Sequence, residues 1–287
     1  MGGIAIVTDS MARFTRPGFP ADPSQFVASL RIVSDGQFVD ETPETDLHQI
    51  AGFRPDLPAG PVAIPPSIEA FTQIYSRLQK EADHILSIHA SARLSATALH
   101  ARAASQQFLG RCDIQVIDSQ SISVGQGLLV QAAADSVARG ETAEETVRIV
   151  RGMIPRLYMV FFLERLDYLE RLGRISRSQA LLGSMLGIIP FLSLEEGEVV
   201  PIEKVRSRPR AVEKLIEFVS EFSRIDHLSI LQCGAWPTEE SRLIAERLQG
   251  VHPDAPISIN CYGASVATCI GPESMGVVVL EAAEEAV

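Results

Sequence analysis

Residues 87–97, Ser87-Ile88-His89-Ala90-Ser91-Ala92-Arg93-Leu94-Ser95-Ala96-Thr97, gather four hydroxyls, an imidazole and a guanidinium. An apolar run at 85–88 leads in, and Ala98, Ala101, Ala104 and Phe108 lead out at helical spacing. The stretch therefore reads as the turn between a buried strand and a helix. Ser95 falls where a helix N-cap would sit, and an N-cap serine accepts an orphan backbone N–H. A helix start also offers free N–H groups and a partial positive charge, which suit a carboxylate or phosphate. Ser95 thus reads either as a plain cap or as a hydroxyl facing an anionic ligand. A third reading is a nucleophile. Against it, Ser95 has no G-x-S-x-G context, and His48, His84, His89, His100, His227 and His252 follow no triad-like order. His89 reads as a strand-end residue with a local hydrogen bond. Asp9 and Asp118 read as capping or turn residues, since no Asp/His cluster at metal spacing accompanies them.

The elements that must position this turn repeat one unit: apolar strand, hydroxyl-rich turn, helix. Residues 4–7 run into Thr8-Asp9-Ser10, and residues 114–117 run into Asp118-Ser119-Gln120-Ser121. In an open parallel sheet all three turns lie at the carboxyl edge, where such sheets bind ligands. None is a G-x-G-x-x-G or Walker A sequence. Between them, residues 26–33 read as one strand, Asp35-Gly36 as a hairpin turn returning over 37–39, and 40–51 as polar, then helical. Residues 62–67 are extended, and Ser67 caps a helix over 68–80. Gly125-Gln126-Gly127 opens another helix that Gly140 closes, followed by one more over 141–151.

Beyond Pro155 the rhythm changes. A bulky strand over 157–163, helices over 166–172 and 178–186, and two strands turned at Gly197 come first. A helix over 209–223, alternating strands and a helix, a Gly-rich segment over 263–276 and a last strand over 277–280 follow. A hairpin among these strands implies a mixed sheet. The fold class is α/β in two domains. Residues 1–155 form a three-layer α/β/α parallel-sheet domain, and residues 156–287 a two-layer α/β mixed-sheet domain. Phe161, Phe162, Leu172, Ile175, Leu181, Met185 and Ile188 read as ordinary core or as the wall of an apolar tunnel.

Composition bounds the partners. The 287 residues are 46% hydrophobic with a net charge of −11. Such a surface repels phosphate backbones and anionic membranes, which argues against nucleic acid. The four cysteines form no CxxC pair, so they read as reduced thiols rather than a zinc site or disulfide frame. No signal-peptide pattern or apolar run of about 18 residues appears, so a cytoplasmic, unanchored protein is expected. Nothing in the pattern bears on assembly, and a monomer is the expectation.

Five blocks, in order, carry a family resemblance: Ile6-Val7-Thr8-Asp9-Ser10; Pro66-Ser67; Leu94-Ser95-Ala96-Thr97; Val116-Ile117-Asp118-Ser119 with Gly125 and Gly127; and Tyr168-Leu169 through Gly173-Arg174-Ile175. The last continues to Ile189-Pro190 and Gly197-Glu198-Val199-Val200-Pro201, and Gly271-Pro272 with Gly276 closes the chain. The sequence resembles DegV-family proteins along essentially its whole length. That resemblance implies a bacterial fatty-acid-binding protein with no catalytic step and no cofactor. It holds a long-chain fatty acid such as palmitate in a tunnel between its domains, and in some members presents the carboxylate to a separate fatty acid kinase. The resemblance maps the two carboxylate-binding hydroxyls onto Ser95 and Ala63. Thr97 and Ser91 support the turn, and Thr268, Cys269 and Arg174 complete the polar end. The tail falls to Phe161, Phe162, Ile175, Leu181, Met185 and Ile188.

The sequence departs from the family pattern where it matters. Ala63 stands in place of a threonine, Ile64-Pro65 replace a polar pair, Ala96 replaces a glycine and Cys269 stands where many members have histidine. A hydrogen bond to a charged acceptor is worth about 1.5–3 kcal/mol. Burying a chain of about 14 methylenes gives on the order of 11 kcal/mol before binding costs. The tail is therefore expected to dominate affinity, with the carboxylate held less firmly. The alternatives are a different apolar ligand on a weakened head-group site, or a Ser95-dependent hydrolase.

Overall fold

The structure is a computed structural model that describes residues 3–19, 25–34, 36–42, 45, 60–171, 173 and 175–283. Its first unit comprises residues up to Pro155 together with Glu196–Glu198 and Gly263–Ser265. The second holds Arg156–Glu195, Val199–Tyr262 and the chain from Val266 onward.

In the first unit the elements are β1 (Ile4–Asp9), β2 (Gln25–Ala28), β3 (Arg31–Ser34), β4 (Gln37–Asp40), β5 (Val62–Ile64), α1 (Ile68–Leu78), β6 (His84–His89), α2 (Thr97–Ser105), β7 (Asp113–Asp118), α3 (Ser123–Ala138) and α4 (Ala143–Met153). The apolar runs of β1 and β6 are buried along almost their whole length, as strands in the middle of a covered parallel sheet are. The sheet order is β2-β1-β6-β7, with every pair parallel. Phe71, Tyr75 and Leu78 of α1 and Ala101 and Ala104 of α2 close a core over Ala5, Val7 and Ile85. The chain leaves β1 toward β2 on one side and returns as β6 on the other. The carboxyl ends of β1 and β6 therefore flank the switch point where α/β sheets form their ligand crevice.

Two expectations are corrected here. The single strand over 26–33 is two strands in different sheets: β2 joins the parallel sheet, and β3 is the centre of an antiparallel β4-β3-β5 sheet. The break is made by distant partners. The Ser10 Oγ takes the Leu30 N–H at 2.9 Å, and the Leu30 carbonyl takes the Glu41 N–H at 2.8 Å. Of the helix expected over 40–51, Asp40 ends β4 and most of the remainder lies outside the described residues. Local chemistry is otherwise obeyed. The Ser67 side chain accepts the Ala70 N–H at the start of α1, and Gly140 adopts a φ of +80° just past α3.

The second unit holds β8 (Leu157–Phe162), α5 (Asp167–Arg171), α6 (Arg177–Met185), β9 (Ile189–Glu195), β10 (Glu198–Val205), α7 (Arg208–Ser220), β11 (Ile225–Gln232), α8 (Glu239–Val251), β12 (Ile257–Cys261), α9 (Ala264–Ile270) and β13 (Met275–Glu281). The sheet order is β10-β9-β8-β13-β11-β12, mixed because β11 and β12 run parallel while β13 pairs antiparallel with β8 and β11. One face packs against Leu215, Val219, Ile244 and Leu248 of α7 and α8. The Gly-rich segment over 263–276 contains α9 and the first residues of β13. The first turn of α9 is set from afar: the Glu41 carboxylate accepts the Ser265 N–H at 3.0 Å, which places a negative charge at a helix start.

Candidate functional site

The turn that follows β6 is pinned residue by residue. Asp9, at the end of β1, accepts three donors. Met11 N–H lies 3.0 Å from Oδ1, and Ala90 N–H and His89 Nδ1–H lie 3.1 and 2.9 Å from Oδ2. Asp118, at the end of β7, takes Ala92 N–H at 3.2 Å and Gln120 N–H at 2.9 Å through Oδ1. Between those two clamps Ser91 is fully buried. Its N–H donates to the Ser121 carbonyl at 2.9 Å, and its hydroxyl donates to the Gly197 carbonyl at 2.6 Å while accepting Arg93 N–H at 3.1 Å. The Ser91 carbonyl then receives the N–H groups of Leu94 and Ser95 at 3.0 and 2.9 Å.

Ser95 is half-buried, and its hydroxyl lies 2.7 Å from that of Thr97. It is not the N-cap of α2. Ala96 occupies that position without a side-chain bond, and Ser95 Oγ instead accepts Thr97 N–H at 3.3 Å. The serine therefore closes a local turn and leaves its hydroxyl paired with that of Thr97, the first residue of the helix. Ser91 and Ser87, by contrast, face inward with committed hydroxyls.

A chain of buried polar groups lies behind the turn. Tyr75 OH, Ser87 Oγ, His89 and Asp9 connect at 2.7, 2.7 and 2.9 Å, and all four residues are fully buried. Burial pushes the Tyr75 phenol far above its ordinary pKa, so it keeps its proton. The Asp9 carboxylate can only accept, so His89 Nδ1–H donates to it; in the neutral tautomer that this sets, Nε2 accepts from Ser87 and Ser87 from Tyr75. His89 does make a local bond, but it is one link in a relay that sequence order does not show.

Ala63 sits on β5 paired with Ile32 of β3, half-buried. The block holding Ala63 and Pro66 is tied to α2 by His100, whose Nδ1–H donates to the Pro66 carbonyl at 2.8 Å. No spacing marks His100 for that role. Thr268 and Cys269 lie on α9 in the second unit, Thr268 nearly buried and Cys269 half-buried, with Oγ1 and Sγ 3.9 Å apart. Arg174 and Leu172 lie outside the described residues. The apolar set does not form one surface. Phe162 packs in the core beneath α7 and α8, and the adjacent Phe161 is equally buried on the opposite face of the strand. Leu181 and Met185 are 65% and 78% exposed on α6. Leu181 and Ile188 instead line a cleft of about 650 Å³ with Glu164, Arg165, Asp167 and Arg177. Among the described residues no group of three His, Cys, Asp or Glu side chains could hold a metal ion, and no helix is long and apolar enough to cross a membrane.

The family model described as "Uncharacterised protein, DegV family" matches residues 3–282. The chain belongs to the DegV family. A DegV domain-containing protein of Streptomyces coelicolor is 31% identical over 283 residues, covering 96% of this chain and 98% of that protein. Among solved structures, a DegV family protein from Thermus thermophilus, described by its fatty acid binding, is 27% identical with a TM-score of 0.83. The match covers 98% of this chain and all of that one. DegV of Bacillus subtilis, described as a fatty acid binding protein, is 26% identical with a TM-score of 0.80 over the same shares. The α/β architecture of this chain is that of these DegV proteins.

Proposed function

We propose that the chain binds a long-chain fatty acid, receives its carboxylate at the Ser95–Thr97 hydroxyl pair, and passes it to a separate acyl kinase in the cytoplasm. It carries out no chemistry of its own and uses no cofactor. The observation that carries the reading is that pair, 2.7 Å apart at the start of α2, in a turn whose other serine is committed to backbone partners. Thr97 is fully buried, and one hydroxyl of the bonded pair donates to the other, which leaves one O–H at the helix start to meet a carboxylate. The fatty acid binding described for the Thermus and Bacillus DegV proteins supports the ligand class. The kinase partner rests on the family resemblance alone. Thr268, Cys269 and Arg174 are proposed as further polar contacts, and Ala63 as the position where a donor is missing.

A hydrolase reading has one observation in its favour. Ser87, His89 and Asp9 stand in triad-like contact at 2.7 and 2.9 Å. It fails on access, because Ser87 is fully buried and its hydroxyl is capped by Tyr75. His89 has both ring nitrogens engaged, so it is no base for Ser95.

Native mass spectrometry of the purified protein, followed by solvent extraction, tests the proposal. The expected result is one fatty acid per chain, with Ser95→Ala weakening its affinity by about tenfold while apolar burial of the tail keeps binding measurable. A protein that carries no acyl chain and takes up none when it is added would sink the reading.

A further inference from the structure

The turn that holds Ser95 is closed by a piece of chain more than a hundred residues away. Glu196 and Gly197 form the tip between β9 and β10, and residues 196–198 belong to the first unit although their strands do not. Both tip residues have positive φ, +49° at Glu196 and +81° at Gly197. A two-residue turn of that kind favours Asn or Asp before Gly, and glutamate is a poor fit to the left-handed region. The tip is therefore held in shape by what it touches as well as by its own sequence. The described non-glycine residues with positive φ are Gln120, Ser123 and Glu196, all in the first unit. Strained backbone of this sort persists where its surroundings over-determine it, and it gathers at ligand clamps.

What the tip touches is Ser91. A Cβ built on Gly197 would lie 2.4 Å from Ser91 Oγ and 3.2 Å from the Cα of Gln120. A methyl group there would have to displace the Ser91 hydroxyl. Gly140 has nearly the same φ, +80°, with nothing within 4 Å. The constraint at Gly197 is thus one of contact as well as conformation.

We propose that Gly197 is a positioning residue for the head-group turn. Its carbonyl fixes the Ser91 hydroxyl, and its missing side chain lets the hairpin tip close on Ser91 and Gln120, so that Ser95 is presented in one arrangement. The inference rests on the fatty-acid reading above. The link from tip to ligand is short. Gly197 O holds Ser91 Oγ–H, Ser91 Oγ holds Arg93 N–H, and the Ser91 carbonyl holds Leu94 and Ser95 N–H.

The test separates head-group positioning from general stability by comparing palmitate with methyl palmitate. The ester keeps the tail and removes the charge that the turn is built to meet. Dissociation constants for both are measured on the full chain and on Ser91→Ala, Gly197→Ala and Gly140→Ala. The expected result is that Ser91→Ala and Gly197→Ala lose about tenfold or more of the preference for acid over ester. Gly140→Ala carries the same left-handed penalty in open space and should keep the wild-type ratio. Should Gly197→Ala fail to fold, Ser91→Ala decides, since it imposes no backbone strain. A wild-type ratio in Ser91→Ala or in folded Gly197→Ala overturns the inference and leaves the fatty-acid reading standing. Wild-type protein that binds both equally, or neither, overturns that reading and the inference with it.

Discussion

Asp9 illustrates how one side chain can serve two ends. Its carboxylate joins the ends of β1 and β6 by accepting Met11 N–H and Ala90 N–H, and it anchors the imidazole of His89. Hydrogen bonds to a charged acceptor each contribute about 1.5–3 kcal/mol, and the groups left behind would be buried without partners. Asp9→Ala is therefore expected to lower stability by about 3–5 kcal/mol in urea denaturation. Ser87→Ala leaves only the Tyr75 hydroxyl and one imidazole nitrogen unpaired, so it should cost about 1–3 kcal/mol. Equal losses would mean that Asp9 acts as a neutral spacer rather than a clamp. At this scale the sequence showed that Ser87, Ser91, Ser95 and Thr97 gather around one strand-to-helix turn, from the last residues of β6 to the first of α2. It did not show which hydroxyls point inward, because the partners that decide this, Tyr75 and Gly197, come from other elements.

Elements close on one another at glycines whose neighbours differ. Gly127, inside α3, packs so tightly that a Cβ would fall 1.9 Å from the Arg13 carbonyl oxygen. Gly152, inside α4, has nothing within 4 Å of its absent Cβ. Gly152→Ala should stabilise the protein by about 0.5–1 kcal/mol through helix propensity. Gly127→Ala should destabilise it by about 1–3 kcal/mol, because a backbone oxygen cannot step aside as a side chain can. Thermal unfolding of the two variants gives opposite signs if this is right, and the same sign if close packing at α3 does not matter. The same contrast explains what could be read in advance. Ser67 and Gly140 announce helix ends through local chemistry. The split of β2 from β3 and the start of α9 do not, since Ser10 and Glu41 impose them from outside.

Over the whole molecule, ligand and fold should be linked. A fatty acid bound to the native state alone stabilises it by RT ln(1 + [L]/Kd), about 4 kcal/mol at a thousandfold excess over Kd. Delipidated protein is expected to melt lower than protein reloaded with palmitate, and the gap should narrow in Ser95→Ala. Identical melting curves for loaded and delipidated protein would show that acyl binding is too weak to matter to the native state. The placement of the site fits the topology of the first unit. Asp9, Ala90 and Ser91 gather at the carboxyl ends of β1 and β6, where the winding of the parallel sheet reverses.

The sequence by itself determined the α/β class, the recurring strand–turn–helix unit and the prominence of residues 87–97. Those depend on hydrophobic period and turn chemistry within a few residues. The ordered blocks also carried the DegV resemblance, which the family match over residues 3–282 bears out. Tertiary structure alone decided that Ser91 is a strut for the hairpin tip and that His89 belongs to a buried relay. It also decided that Leu181 and Met185 stand exposed while Phe162 is core. The physical reason is separation along the chain. The bonds that hold His89 to Asp9 and Ser91 to Gly197 join residues 80 and 106 apart, and no local pattern encodes a partner at that distance.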